Sequence, residues 1–304
     1  MKENVSKAAY TTGSIGKTML KTAFSMLAGT LAMSGYNIAD TYFVGQLGRI
    51  PLAAMGFTFP VIMLIGCVFR GLGVGVMTTA AQALGSGNNS KAAKLITSGL
   101  LLIFAVSVLF AVAGINCIES TFSVFGANEE VMPDIRAYMT VWYLGCCTAS
   151  LGMAGNDLLI AAGDSKIASG MMMGGMIVNV VLDPLFIMGC GPVPAMGIRG
   201  AAIATVASQF ISALVVLAVL ARRHGLILFS GMPFPILKTT WTVIIRYAVP
   251  STIGMLMMPI GSAIVTKVTA CFGITAVAAS AAAGRLEMVA FVFPMALGIA
   301  LLPM

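Results

Sequence analysis

Residues 20–44 read LKTAFSMLAGTLAMSGYNIADTYFV, an apolar segment long enough to cross a membrane as a helix. About 20 apolar residues span the roughly 30 Å of hydrocarbon in a bilayer. The segment nevertheless carries a carboxylate, Asp40, near its end. A charge at membrane depth costs roughly 2.5–3.5 kcal/mol on insertion scales, so Asp40 indicates a functional site. A structural interpretation, in which Asp40 caps the helix end or pairs with a neighbour, stays open.

The composition of the whole chain agrees with a membrane protein. Of its 304 residues, 59% are hydrophobic and only 9% are charged, whereas soluble domains average about 25% charged residues. Further apolar stretches of span length follow the first one, and the last begins near residue 276. Those between lie at 53–81, 95–118, 136–162, 167–190, 198–221 and 240–272. The chain is therefore predicted to be an all-α polytopic membrane protein.

Lysine and arginine residues set the predicted orientation. With the N-terminus in the cytoplasm, the outer loops hold only Arg49, Arg136 and Arg199, and the other basic loop residues fall inside. This bias follows the positive-inside rule and predicts a multi-pass protein of the plasma (inner) membrane. The net charge of +7 does not indicate nucleic-acid binding, because the basic residues flank helices instead of forming one patch.

Three predicted spans bring polar side chains to a common depth. Asp40 lies late in the first span, and Asn179 and Asp183 lie late in the fifth; both spans run outward. Thr205 lies early in the sixth span, which runs inward. A spacing of four residues places Asn179 and Asp183 on one helix face. We expect one site in the outer half of the membrane, where two carboxylates share a proton or, with the amide and hydroxyl oxygens, bind Na⁺.

An internal repeat suggests two lobes. Shifting the sequence by 225 residues aligns the first two spans with the seventh and eighth, and pairs Gly48 with Gly273, among other identities. The shift covers six spans, an even number, so the two halves have the same orientation, as in transporters built from parallel repeats. This predicts a complete six-helix lobe over residues 1–235 and the first two helices of a second lobe over residues 236–304.

Short stretches of the sequence resemble signatures of the MATE (multidrug and toxic compound extrusion) family. Residues 36–48 read YNIADTYFVGQLG, residues 179–186 read NVVLDPLF and residues 200–205 read GAAIAT. They resemble the first-, fifth- and sixth-helix signatures of that family, and GDSK at 163–166 resembles its loop between the fourth and fifth helices. The resemblance covers essentially the whole chain.

The resemblance implies a secondary antiporter of two six-helix lobes, in which inflow of H⁺ or Na⁺ drives export of small organic, commonly cationic, drugs or toxic metabolites. In that family the cation site of the N-terminal lobe is built around the positions matching Asp40, Asn179, Asp183 and Thr205. Asn156 of the fourth span would contribute to it. No cofactor is expected beyond the coupling ion, and membrane lipid surrounds the protein. The family has twelve helices, so a C-terminal half beyond residue 304 or in another chain is expected.

Three further charges at membrane depth, Arg70, Lys267 and Glu287, are weaker candidates for substrate or counter-ion roles. Snorkelling or structural pairing is the favoured interpretation for each of them. Two other functions stay open. A lipid-linked-precursor flippase of the same superfamily should have a strongly cationic central cavity, and a truncated chain could be a non-transporting fragment. No nucleophile with its base and no set of metal ligands converges in the sequence, so an enzyme is not predicted.

Overall fold

A computed structural model of the protein describes residues 38–189, 192–228 and 233–270, together with the isolated residues 24, 27, 31, 35, 272, 273, 276, 279, 280, 283, 284, 294 and 298. The described chain forms helices joined by short turns. They are α1 (residues 38–46), α2 (Arg49–Gly85), α3 (Asn89–Asn116), α4 (Ile118–Val124), α5 (Met132–Ala161), α6 (Ser165–Ile187), α7 (Ile198–Arg222) and α8 (Phe234–Ala270). In this part of the chain, six helices are long and apolar enough to cross a membrane. The predicted all-α polytopic class is confirmed.

These six helices, α2, α3 and α5 to α8, correspond to the predicted second to seventh spans. Several of them extend beyond the apolar stretch at one end. For example, α2 begins at Arg49 instead of residue 53, and α8 begins at Phe234 instead of residue 240. The difference arises because hydropathy marks the part of a helix that faces lipid, whereas backbone hydrogen bonds continue into the interface. Most of the predicted first and eighth spans lie outside the described residues.

The two glycines paired by the 225-residue repeat share a backbone conformation. Gly48 separates α1 from α2 and has a φ of 119°, and Gly273 follows α8 with a φ of 100°. Both angles lie in a region that residues with a Cβ rarely adopt, so glycine is favoured at each position. Six other described glycines also have a positive φ, so this likeness does not distinguish the pair, and the repeat stays a prediction. The division into lobes at residue 235 stays a prediction.

Apolar side chains form two buried clusters at opposite ends of the bundle. One cluster gathers the second half of α2, the start of α3 and the ends of α5 and α7. The other gathers the first half of α2, the first half of α5, and the residues at which α6 ends and α7 begins. Along α2, Phe69 belongs to the second cluster and Leu72 to the first. Arg70 therefore lies at the level where one apolar cluster gives way to the other.

Helix α8 packs on α2 at glycine positions. A Cβ added to Gly71 would overlap the side chain of Thr252, and a Cβ on Gly75 would lie 2.7 Å from the carbonyl oxygen of Ile244. Gly71 and Gly75 are four residues apart and so face the same neighbour, which is the small-residue spacing that lets membrane helices approach closely. The first helix of the predicted second lobe is thereby held against the first lobe.

Gly75→Val is expected to destabilise the protein by at least about 1–3 kcal/mol, because the new side chain meets the backbone of α8, which cannot turn aside. The measurement is the Tm of the purified protein in detergent. Gly66→Val is the matched control, since it makes the same change in the same helix at a position with no atom within 4 Å. Equal Tm values for the two variants would contradict the packing described.

The segment after α7 is attached to the start of α3. The backbone N–H of Leu228 donates to Thr97 Oγ1 at 2.9 Å, and Trp241 Nε1 donates to the carbonyl oxygen of Ser98 at 2.9 Å. Nearby, His224 Nε2 lies 2.7 Å from Asp164 Oδ2. Adjacent residues of α3 therefore hold both the connecting segment and α8, which fixes the position of α8 beside α2.

Candidate functional site

The four polar residues predicted to share one depth are all buried. Asn179 and Asp183 of α6 have no exposed surface, Thr205 of α7 is 2% exposed and Asp40 of α1 is 5% exposed. Burying a carboxylate is unfavourable unless a charge, a proton or hydrogen bonds compensate it. Two buried carboxylates in one region therefore require a compensating group. We call these four residues the carboxylate site.

Asn179 and Asp183 are joined along one face of α6. Asn179 Nδ2 donates to Asp183 Oδ1 at 3.3 Å, as the spacing of four residues predicts. The other oxygen of each side chain, Asn179 Oδ1 and Asp183 Oδ2, is buried and accepts no hydrogen bond from the described part of the chain. Most buried polar atoms in proteins do have a partner. These two oxygens are therefore available to a proton donor or a cation.

Asp40 completes the carboxylate site from α1. It lies close enough to Asp183 for the two carboxylates to interact electrostatically. When both are ionised they repel each other across a poorly solvated space. A shared proton or a bound monovalent cation removes that repulsion. Uptake of one positive charge by the carboxylate site therefore lowers the electrostatic repulsion between Asp40 and Asp183.

A close contact between α6 and α7 sets the level of Thr205. The backbone N–H of Met196 donates to the carbonyl oxygen of Phe186 at 3.0 Å. A Cβ on Gly200 would overlap that same carbonyl group, so glycine lets α7 begin directly against the end of α6. Asp183 precedes Phe186 by about 4.5 Å of helix, and Thr205 follows Gly200 by about 7.5 Å. The two side chains therefore lie at similar depths, as predicted.

A cavity of about 180 Å³ lies between α2, α5, α6 and α7, and Arg70 and Asn156 are among its lining residues. We call it the Arg70 cavity. Met176 also lines it, one helical turn before Asn179, and Ser208 lines it, one turn after Thr205. The cavity is thus the immediate neighbour of the carboxylate site. The structure places Asn156 in this cavity, together with Arg70.

The sequence analysis missed one lining residue, Asp157, which follows Asn156 on α5. Its carboxylate interacts electrostatically with Arg70. It also approaches α2, where a Cβ on Gly73 would lie 3.5 Å from Asp157 Oδ2. The available signal was the same as for Asp40, an acidic residue within a predicted span, where charge is costly.

Of the other two weak candidates, the structure describes only Lys267. Lys267 lies in the last turn of α8, is exposed, and is not among the residues that line the Arg70 cavity. Glu287 lies outside the described residues. Of the two charges at membrane depth that the structure describes, Arg70 therefore lines the polar cavity and Lys267 does not.

The sequence of the chain is similar to that of known membrane transport proteins. A family model described as MatE matches residues 26–185. The chain is 35% identical, over 95% of its length, to a protein of Shewanella oneidensis named FAD transporter. It is 25% identical, over 96% of its length, to a probable multidrug resistance protein of Bacillus subtilis. The chain spans 64% of the length of each of these relatives.

A solved structure shares the fold. It is described as the outward-facing conformation of a multidrug resistance MATE family transporter of the MOP superfamily. The match has a TM-score of 0.84 and 28% sequence identity, and covers 99% of this chain and 65% of the solved one. The arrangement of helices around the carboxylate site therefore has a counterpart of known structure.

Proposed function

Since the chain belongs to the MATE family, we propose that the intact protein is a cation-coupled antiporter that exports small organic molecules across the plasma membrane. The observation that carries this proposal is the buried pair of carboxylates, Asp40 and Asp183. Two oxygens of this site, Asn179 Oδ1 and Asp183 Oδ2, accept no hydrogen bond within the described residues. Such a site takes up H⁺ or Na⁺ without a further cofactor. The excess of basic residues in the inner segments supports a cytoplasmic N-terminus.

Coupling requires that the cation favour one conformation over another. Inward movement of one positive charge across 100 mV supplies about 2.3 kcal/mol, enough to sustain a gradient of roughly 50-fold for a substrate without net charge. Loading the carboxylate site relieves repulsion between Asp40 and Asp183, and unloading restores it. This difference in repulsion between the loaded and the unloaded site favours one conformation when the cation is bound and the other when it is absent.

Met176 links the carboxylate site to the Arg70 cavity. Its side chain lines the cavity, and its Cε lies 3.3 Å from the position that a Cβ on Gly35 would occupy, five residues before Asp40. Asn179 follows Met176 by one turn of α6. A ligand in the cavity and a cation at the carboxylate site would therefore both act on the same turn of α6, and through Met176 on the position of Gly35.

Two substrate classes are candidates. Organic cations are the class that the resemblance to the family favoured, and the 25%-identical relative is named a probable multidrug resistance protein. An anionic flavin nucleotide is the second candidate, because the 35%-identical relative is named a FAD transporter and because Arg70 lines the cavity. A flippase is less well supported, since Asp157 offsets the positive charge of Arg70 in the same cavity.

The experiment is expression of the intact protein in bacteria that lack their main efflux pumps. We expect lower retention of ethidium, or higher flavin in the medium, than in cells with the empty vector. This difference from the empty-vector cells should disappear when a protonophore is added in medium without Na⁺, because neither cation gradient then remains. Unchanged retention and unchanged extracellular flavin would contradict export as the function.

A further inference from the structure

Arg70 presents an unused hydrogen-bonding surface within the membrane bundle. Its guanidinium carries five N–H donors and stays charged at any physiological pH. No described residue forms a hydrogen bond or an ion pair with it. It nevertheless lines a cavity between the two apolar clusters, where an isolated charge is costly. A group that can hydrogen-bond to Arg70 would therefore gain a strong interaction there.

Asp157 offsets the charge of Arg70 without neutralising it by direct contact. The two groups interact electrostatically, but their N and O atoms are not within ion-pair distance, since the three ion pairs of the described chain all involve other residues. Two acceptor atoms near them, Asn156 Oδ1 and Gln209 Oε1, are buried and accept no hydrogen bond from any residue that the structure describes. The cavity thus offers separated positive and negative ends and unused acceptors.

We propose that Arg70 binds the anionic group of the transported substrate and that Asp157 is the nearby counter-charge which opposes the binding of this group. This inference rests on the proposed export function and names the substrate class. A carboxylate, phosphate or sulfonate can accept two parallel N–H bonds from a guanidinium, which Asp157 does not do at its distance. Repulsion from Asp157 keeps the anion from binding too tightly and so permits its release.

The size and lining of the cavity limit what enters it. Its volume of about 180 Å³ is smaller than the roughly 300–1,000 Å³ of sites that enclose a whole drug-sized ligand. It therefore holds the anionic end of a molecule and a small adjoining part. Met171, Met172 and Met176 supply a flexible apolar wall for that part. The substrate class is an amphipathic organic anion or zwitterion, and a simple organic cation is disfavoured by Arg70.

Equilibrium binding of two flavin probes to the intact protein in detergent tests this proposal. Flavin mononucleotide and riboflavin share the ring and differ by a phosphate, and both are followed by their fluorescence. Arg70→Gln should weaken flavin mononucleotide binding by at least about tenfold, because a charge-assisted bidentate contact is lost. Binding of riboflavin should change by less than about twofold, since it makes no such contact. Arg70→Lys keeps the charge and should retain part of the preference.

Asp157→Asn is expected to change the affinity for flavin mononucleotide in the opposite direction to Arg70→Gln. It therefore distinguishes recognition of the anion from a merely structural role of these two residues. Removing the competing carboxylate should tighten binding of flavin mononucleotide, whereas damage to the fold would weaken binding of both probes. Arg70→Gln with Asp157→Asn removes both charges and should abolish the preference for the phosphate. The proposal is overturned if Arg70→Gln leaves the affinity ratio of the two probes unchanged, if Asp157→Asn weakens binding of flavin mononucleotide, or if the wild type binds neither probe. None of these outcomes bears on cation coupling, which substitution of Asp40 tests separately.

Discussion

Asp40→Asn in the intact protein is expected to reduce cation-driven export to the level of vesicles without protein. Asparagine has nearly the shape of aspartate but can neither carry the proton nor supply a negative charge to Na⁺. With Asp183 as the one carboxylate left in the pair, the repulsion that loading relieves is absent. Because the substitution removes the repulsion between two buried carboxylates, the Tm should stay unchanged or rise. The measurements are the initial rate of substrate movement into acidified or Na⁺-loaded proteoliposomes, and the Tm in detergent.

A matched control uses a carboxylate outside the bundle. Glu119 forms an exposed ion pair with Arg136, and their side chains are 62% and 60% exposed. Glu119→Gln should therefore leave both transport and Tm nearly unchanged, since exposed ion pairs contribute about 0–1 kcal/mol. Coupled export by Asp40→Asn at the rate of the wild type would remove Asp40 from the mechanism.

Gly200→Ala is expected to cause the largest loss of stability for the smallest change in side chain. The new Cβ would overlap the carbonyl group of Phe186. Because this group belongs to the backbone, a change of side-chain rotamer cannot remove the overlap. Relief requires α7 to move away from the end of α6, at a cost of about 1–3 kcal/mol or more. That movement also separates Thr205 from Asp183, so export should fall together with the Tm.

The control for this prediction is Gly174→Ala in α6. A Cβ at Gly174 has no neighbour within 4 Å, and alanine favours a helix over glycine by about 1 kcal/mol. This variant should be as stable as the wild type or more stable. A wild-type Tm and export rate for Gly200→Ala would show that α6 and α7 do not meet as described.

The helices and the carboxylate site could be predicted from the sequence because each depends on local information. Hydropathy locates the spans, since a helix in lipid must be apolar over its whole crossing. Spacing alone places Asn179 and Asp183 on one face, and the alternating direction of the spans brings Asp40 and Thr205 to a similar depth. The hydrogen bond from Asn179 to Asp183 agrees with that prediction.

The Arg70 cavity could not be predicted because it depends on which helix faces touch. Arg70 and Asp157 are 87 positions apart, and the packing of α2 on α5, where Gly73 faces Ala154 and Asp157, places both in the lining of one cavity. The chain has 34 glycines, and the sequence does not distinguish those at contacts, such as Gly73 and Gly75, from those in open positions, such as Gly66. For the same reason the sequence treated Lys267 as equivalent to Arg70, although Lys267 is exposed at the end of α8.

The most direct test of cation-coupled export is to follow both fluxes at once in proteoliposomes that contain the intact protein. A substrate gradient is made the only driving force, and fluorescent indicators report the internal H⁺ and Na⁺ concentrations. We expect substrate movement to drive H⁺ or Na⁺ in the opposite direction, and Asp40→Asn to abolish that counterflow. Substrate that crosses the membrane while neither cation moves would contradict antiport.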